Sequence, residues 1–83
     1  MEEAEMNILR LKFFDDDIIL YEYQPEGKGV GGIITHNKKD NTTEITKTAV
    51  EDEDNYYAQM AKSKVVAIVS NKSLPLECVQ AWC

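Results

Sequence analysis

The chain opens on a clean alternation of apolar and polar positions. In Asn-Ile-Leu-Arg-Leu-Lys-Phe-Phe (7–14), Leu9, Leu11 and Phe13 share one parity while Arg10 and Lys12 share the other, the pattern of a half-buried strand. Asp15-Asp16-Asp17 supplies a turn, because short acidic side chains bond back to neighbouring backbone N–H groups. Residues 18–24, Ile-Ile-Leu-Tyr-Glu-Tyr-Gln, form a second strand rich in branched and aromatic residues. The short link makes it antiparallel to the first. Ile19, Tyr21 and Tyr23 line one side and Ile18 and Leu20 the other, so this strand is apolar on both faces. Pro25 ends or bends it, having no N–H to give to a ladder. A flexible glycine-rich link (27–32) leads into a third strand over 30–35, followed by a polar turn at 36–41. The fourth strand, 43–48, carries one apolar residue and so reads as an edge, with Lys47 discouraging pairing to another chain.

Glu51-Asp52-Glu53-Asp54 then opens a helix, where carboxylates suit free N–H groups and the positive end of the dipole. From Tyr56 to Val69 the spacing turns helical: Tyr57, Ala61, Val65 and Ile68 form a stripe flanked by Ala58 and Val69, with Gln59, Lys62, Ser63 and Ser70 opposite. Val65–Val69 alone also fits a short buried strand; the unbroken stripe favours helix. Asn71 is the expected left-handed C-cap, and Pro75 prevents continuation. Residues 77–82 make a last strand. The order β-β-β-β-α-β describes an α+β, two-layer domain: an antiparallel sheet of four to five strands with one helix packed on one face.

Size limits what such a chain can be. Its 83 residues make a single domain, too short for a Rossmann enzyme, a kinase or a TIM barrel; residues 1–6 read as a frayed end. The formal net charge is −6 and no basic stripe offsets it, which disfavours nucleic acid and anionic membrane surfaces as partners. The charge is uneven. Residues 1–27 carry eight acidic side chains against two basic ones, whereas residues 28–50 carry four basic against two acidic. Nothing at the N-terminus resembles a secretory signal and no apolar run approaches a membrane span. Cys78 and Cys83 lie five apart, roughly 16 Å if extended, beyond disulfide reach. Two free thiols fit a reducing compartment, and the expected location is the cytoplasm.

The candidate chemistry is thin. Gly27-x-Gly29-x-x-Gly32 matches a phosphate-binding glycine pattern by letter, but a strand follows it where that chemistry needs a helix N-terminus; a flexible or bulged strand entry is the reading adopted. His36, the one histidine, falls in the polar turn without a partner for catalysis or metal binding. The acidic runs at 15–17 and 51–54 lack the spaced ligands and central glycine of a calcium loop. No nucleophile–base or paired-carboxylate set assembles, so no enzyme, cofactor or metal is expected.

One structural imbalance does point to a function. A single helix covers one face of the sheet, yet the second strand is apolar on both. Some of Ile18, Leu20, Tyr21 and Tyr23, with Trp82, then meet solvent or another molecule, and exposed apolar patches of this kind mark interfaces. At Tyr21-Glu-Tyr-Gln-Pro-Glu-Gly27 and Tyr56-Tyr-Ala-x-Met-Ala-x-Ser-Lys64, with Asn71, Pro75 and Gln80-Ala-Trp82, the chain resembles small single-domain proteins of gut Firmicutes with no assigned activity. The resemblance implies a bacterial origin and a compact domain, and it carries over no site residues. The expected function is a small non-enzymatic binding or assembly module, a homo-oligomer (most simply a twofold dimer) or a partner of another protein, joined through the apolar sheet face. Two alternatives stand beside it. One is an acidic DNA mimic that captures a basic protein through residues 1–27. The other is a small-ligand domain holding an anion near Lys28, Lys38 and Lys39.

Overall fold

The computed structural model describes residues 5–50, 52 and 55–82. Five strands, β1 (Glu5–Phe14), β2 (Ile18–Pro25), β3 (Gly32–Asn37), β4 (Thr42–Lys47) and β5 (Glu77–Trp82), and one helix, α1 (Tyr56–Ser70), follow in the order β-β-β-β-α-β. The sheet order is β4-β3-β2-β1-β5, with every adjacent pair antiparallel. This is the expected α+β fold. Three hairpins build four strands in sequence, and the helix carries the chain back so that β5 pairs with β1. The helix lies on one face only.

Strict alternation decides which side chains the helix covers. In β2, Ile19, Tyr21, Tyr23 and Pro25 are buried, while Ile18, Leu20, Glu22 and Gln24 are half-buried on the other face. Leu9 and Ile34 join the buried set from the flanking strands, and Ala58, Ala61, Val65 and Ile68 meet them from α1. Two alanines on the inner helix stripe leave room for the two tyrosine rings beneath. Val65–Val69 is helical throughout.

The boundaries differ from expectation in physically informative ways. β1 begins at Glu5, so residues 5 and 6 are paired rather than frayed, and residues 1–4 lie outside the described residues. A bulge at Lys12 shifts the register, so that Leu11 opposes Tyr21 but Phe13 opposes Leu20. The expected trio of Leu9, Leu11 and Phe13 on one face is thereby broken: one inserted residue turns Phe13 onto the uncovered face. β3 starts later and runs further than its pattern indicated, placing His36 inside a strand at 4% exposure instead of in a turn. Asn71 is right-handed at the helix end and Lys72 takes the left-handed conformation (φ 57°).

The helix start is also built differently. The N-cap, Asn55, is left-handed and makes no side-chain cap bond. Asp52 instead reaches in from the loop: its Oδ1 accepts from Tyr57 N (3.0 Å) and its Oδ2 from Ala58 N (2.8 Å). Glu51, Glu53 and Asp54, the rest of the expected cap, lie outside the described residues. Asp52 Oδ2 also accepts from the Tyr23 hydroxyl (3.0 Å), and that hydroxyl accepts from Ala49 N (2.9 Å). Asp15 acts as expected, its Oδ1 taking the N–H groups of Asp17 and Ile18 at 2.7 and 2.8 Å. Those two backbone bonds hold its carboxyl below the usual carboxylate range.

Burial, then the Asp52 carboxylate, pushes the Tyr23 phenol up to about 12. Burial likewise raises Tyr21, with Cys78 contributing. The unfolded chain ionises its tyrosines near pH 10, so between about pH 10 and 12 the unfolded state binds fewer protons than the folded one. Stability is therefore complete below about pH 10 and falls as pH rises through that window. Urea midpoints measured from about pH 9 to 12 should decline, and Tyr23→Phe should flatten the decline. A profile that the phenylalanine variant leaves unchanged would place the alkaline loss elsewhere.

Candidate functional site: the uncovered sheet face

The face away from α1 has no covering element among the described residues. Ile18, Leu20, Glu22 and Gln24 project from β2, and antiparallel neighbours share a face. The register then places Phe13 beside Leu20, Arg10 beside Glu22, and Ile8 beside Gln24. On the far side of β1, Ile8 faces Val79 and Arg10 faces Glu77; on the far side of β2, Ile33 neighbours Glu22. Phe13 is 46% and Val79 58% exposed.

The centre of this face is ionic, with one cation, Arg10, between two carboxylates, Glu22 and Glu77. Arg10 Nε donates to Glu77 Oε2 (3.1 Å), and its terminal nitrogen donates to Gln24 Oε1 (2.9 Å) and lies 3.8 Å from Glu22 Oε1. The planar guanidinium thus bridges three strands, with apolar side chains above and below it along the strands. In water such exposed pairs contribute little to stability. Their effect is to tie Arg10 to the strands on both sides of β1.

The candidate interface residues divide. Ile18 and Leu20 lie on the uncovered face. Tyr21 and Tyr23, expected to contribute to it, are fully buried beneath α1: their parity in β2 is that of Ile19, and their hydroxyls bond Pro75 O (2.7 Å) and Asp52. The backbone of Trp82 ends β5 opposite Glu5; its side chain lies outside the described residues. Ile8, Phe13, Ile33 and Val79 were not singled out from the sequence. Extending the parity of Leu20 across the sheet would have found three of them. Phe13 required the bulge.

Other candidates resolve into structure. Gly27 and Gly29 have positive φ (68° and 73°), so this part of the glycine pattern serves the turn after β2. Several of the described acidic residues of 1–27 make contacts within the chain. Asp17 pairs with Lys39 (3.5 Å), Glu22 sits beside Arg10, and Glu26 accepts from the Tyr57 hydroxyl and Met6 N. Lys28 borders one cavity with Tyr57, whereas Lys38 borders another beside His36. Cys78 is a half-buried free thiol. No helix among the described residues is long and apolar enough to cross a membrane. Compared with protein-family models, curated proteins and solved structures, the chain matches none of them.

Proposed function

We propose that this protein is a small non-enzymatic assembly module that pairs with a second copy of itself, about a twofold axis, through the uncovered face of its sheet. The observation that carries the reading is that face: among the described residues no helix or strand lies over it, Phe13 and Val79 are exposed on it, and Ile8, Leu20 and Ile33 are half-buried around Arg10.

Two arguments favour a second copy over an unrelated partner. The first is charge. A chain with net charge −6 repels itself through most surfaces, but here a cation sits between two carboxylates. A twofold axis near Arg10 brings each Arg10 towards the partner's carboxylates, an isologous and self-complementary arrangement. The second is area. Five strands about 4.8 Å apart, about six residues long at about 3.3 Å each, span roughly 500 Å² per copy before side-chain relief is counted. That lies at the small end of specific interfaces and fits a reversible dimer of micromolar strength. A bacterial, cytoplasmic setting belongs to the same proposal; the free Cys78 thiol is the state a reducing compartment maintains.

Sedimentation from about 5 to about 500 μM, the range a small interface calls for, should show a concentration-dependent dimer. Leu20→Lys and, separately, Val79→Lys should each weaken it by about a hundredfold or more, since both bury an unpaired charge against its own copy. Val79 is exposed at the edge strand, so that variant folds normally and its melting temperature is the control. A monomer throughout the range, or a dimer indifferent to both lysines, would sink the reading.

A further inference from the structure

On the helix side of the sheet, the last two turns of α1 pass over the β3–β4 hairpin and leave a groove. One lobe has a volume of about 370 Å³ and the adjoining lobe about 360 Å³; His36, Asn41 and Val69 border both. Ile19, Val69 and Leu74 make the wall of the first lobe, and Val66 continues it in the second. This wall is aliphatic, and the one ring that borders the lobes is the His36 imidazole.

The polar lining is cationic in a protein that is otherwise acidic. Lys38 and Lys72 border the first lobe and Lys62 the second, with no acidic residue lining either. Lys38 Nζ donates to Asp15 O at 2.6 Å. Lys62 and Lys72 have no ion-pair partner among the described residues. The negative pole of the helix is muted here, because the carbonyls of Ala67, Ile68 and Val69 accept from Asn71 N and Lys72 N, and that of Val66 from the Ser70 hydroxyl.

His36 supplies a second, independent sign. It is 96% buried, and Nδ1 is 2.8 Å from Thr43 Oγ1. Nε2 has no hydrogen-bond partner among the described residues. When the threonine hydroxyl donates to Nδ1, Nε2 carries the proton and is a donor at the junction of the lobes. Nε2 is not sealed from solvent, so its N–H opens onto the groove and can donate to an acceptor that enters it.

We infer that this groove binds a small amphipathic anion, a carboxylate or phosphate head on an aliphatic body. Lys62, Lys72 and His36 Nε2 meet the head, and Ile19, Val69 and Leu74 line the body. The volume suits a chain of several carbons rather than a large cofactor. The site lies on the opposite side of the sheet from the proposed dimer face, so the two readings stand or fall separately.

The test is an amide NMR titration of the full chain with octanoate, octyl phosphate, inorganic phosphate and octanol. Octanoate or octyl phosphate should shift His36, Val69 and Leu74 saturably at about millimolar concentration or below; which of the two binds tighter distinguishes a carboxylate from a phosphate head. The double variant Lys62→Ala/Lys72→Ala should bind about tenfold or more weaker with its melting temperature unchanged, while Val79→Lys should bind as the parent does. Absence of a saturable shift with either amphiphile, octanol or inorganic phosphate binding equally well, or retained affinity in the double variant would each overturn the inference.

Discussion

Asp52→Ala should lower the free energy of unfolding by about 3–4 kcal/mol, the largest single effect expected of any carboxylate among the described residues. Asp52 is 2% exposed and its two oxygens accept from three donors: Tyr57 N, Ala58 N and the Tyr23 hydroxyl. Alanine removes, in a buried site, the carboxylate that accepts from two helix N–H groups and from the Tyr23 hydroxyl. Loss of a helix cap costs about 0.5–2 kcal/mol, and each stranded buried donor about 1–3 kcal/mol. These contributions overlap, so the sum is not additive. Urea denaturation measures the loss directly. A double-mutant cycle with Tyr23→Phe should show coupling of about 1 kcal/mol, because both single variants break one shared bond. In Asp52→Ala the phenol of Tyr23 should also titrate lower, though not down to its ordinary value, since burial is the larger cause of its shift. A loss under about 1 kcal/mol would mean that water reaches the site and replaces the carboxylate.

Gly32→Ala comes second, at about 2–4 kcal/mol, or a fall of about 10–20 °C in melting temperature for a domain of this size. A Cβ at Gly32 would lie 2.2 Å from Cε1 of Tyr23 and 2.5 Å from the Lys47 carbonyl oxygen. Neither can retreat cheaply. The ring is fully buried and its hydroxyl is held by Asp52 and Ala49, and the carbonyl belongs to the β4 backbone. The chain must then open the β3–β4 pairing or displace the ring from beneath α1. Thermal melts followed by far-ultraviolet dichroism report this. A variant that melts within about 2 °C of the parent would show that the ring has somewhere else to go.

Both effects converge on Tyr23, which shows how far the sequence can be read. Its alternation with Ile19 and Tyr21 is plain, and it marks a strand with one buried face. The phenolic end is another matter. That the hydroxyl meets a carboxylate 29 residues later, and that Gly32 exists to clear its ring, follow only once β2, β3 and the helix entry are brought together. His36 shows the same limit. Its neighbours His-Asn-Lys-Lys-Asp-Asn read as a turn because they are polar, yet pairing with β4 draws His36 and Asn37 into the strand. The uncovered face was legible as an imbalance: one helix cannot cover two faces, and β2 is apolar on both. Its membership was not, because Phe13 reaches it through a bulge that alternation alone does not reveal.

The local pattern by itself determined the element order, the fold class and the residues of α1 that face the sheet. Those depend on periodicity and turn chemistry, which act over a few residues and are written in consecutive positions. Strand register, the burial of His36, the role of Asp52 as an outside cap, and the groove between helix and hairpin were decided by the tertiary structure alone. Each depends on which atoms meet across tens of residues. Those meetings are selected by how the whole core packs, and no short segment of the chain contains that information.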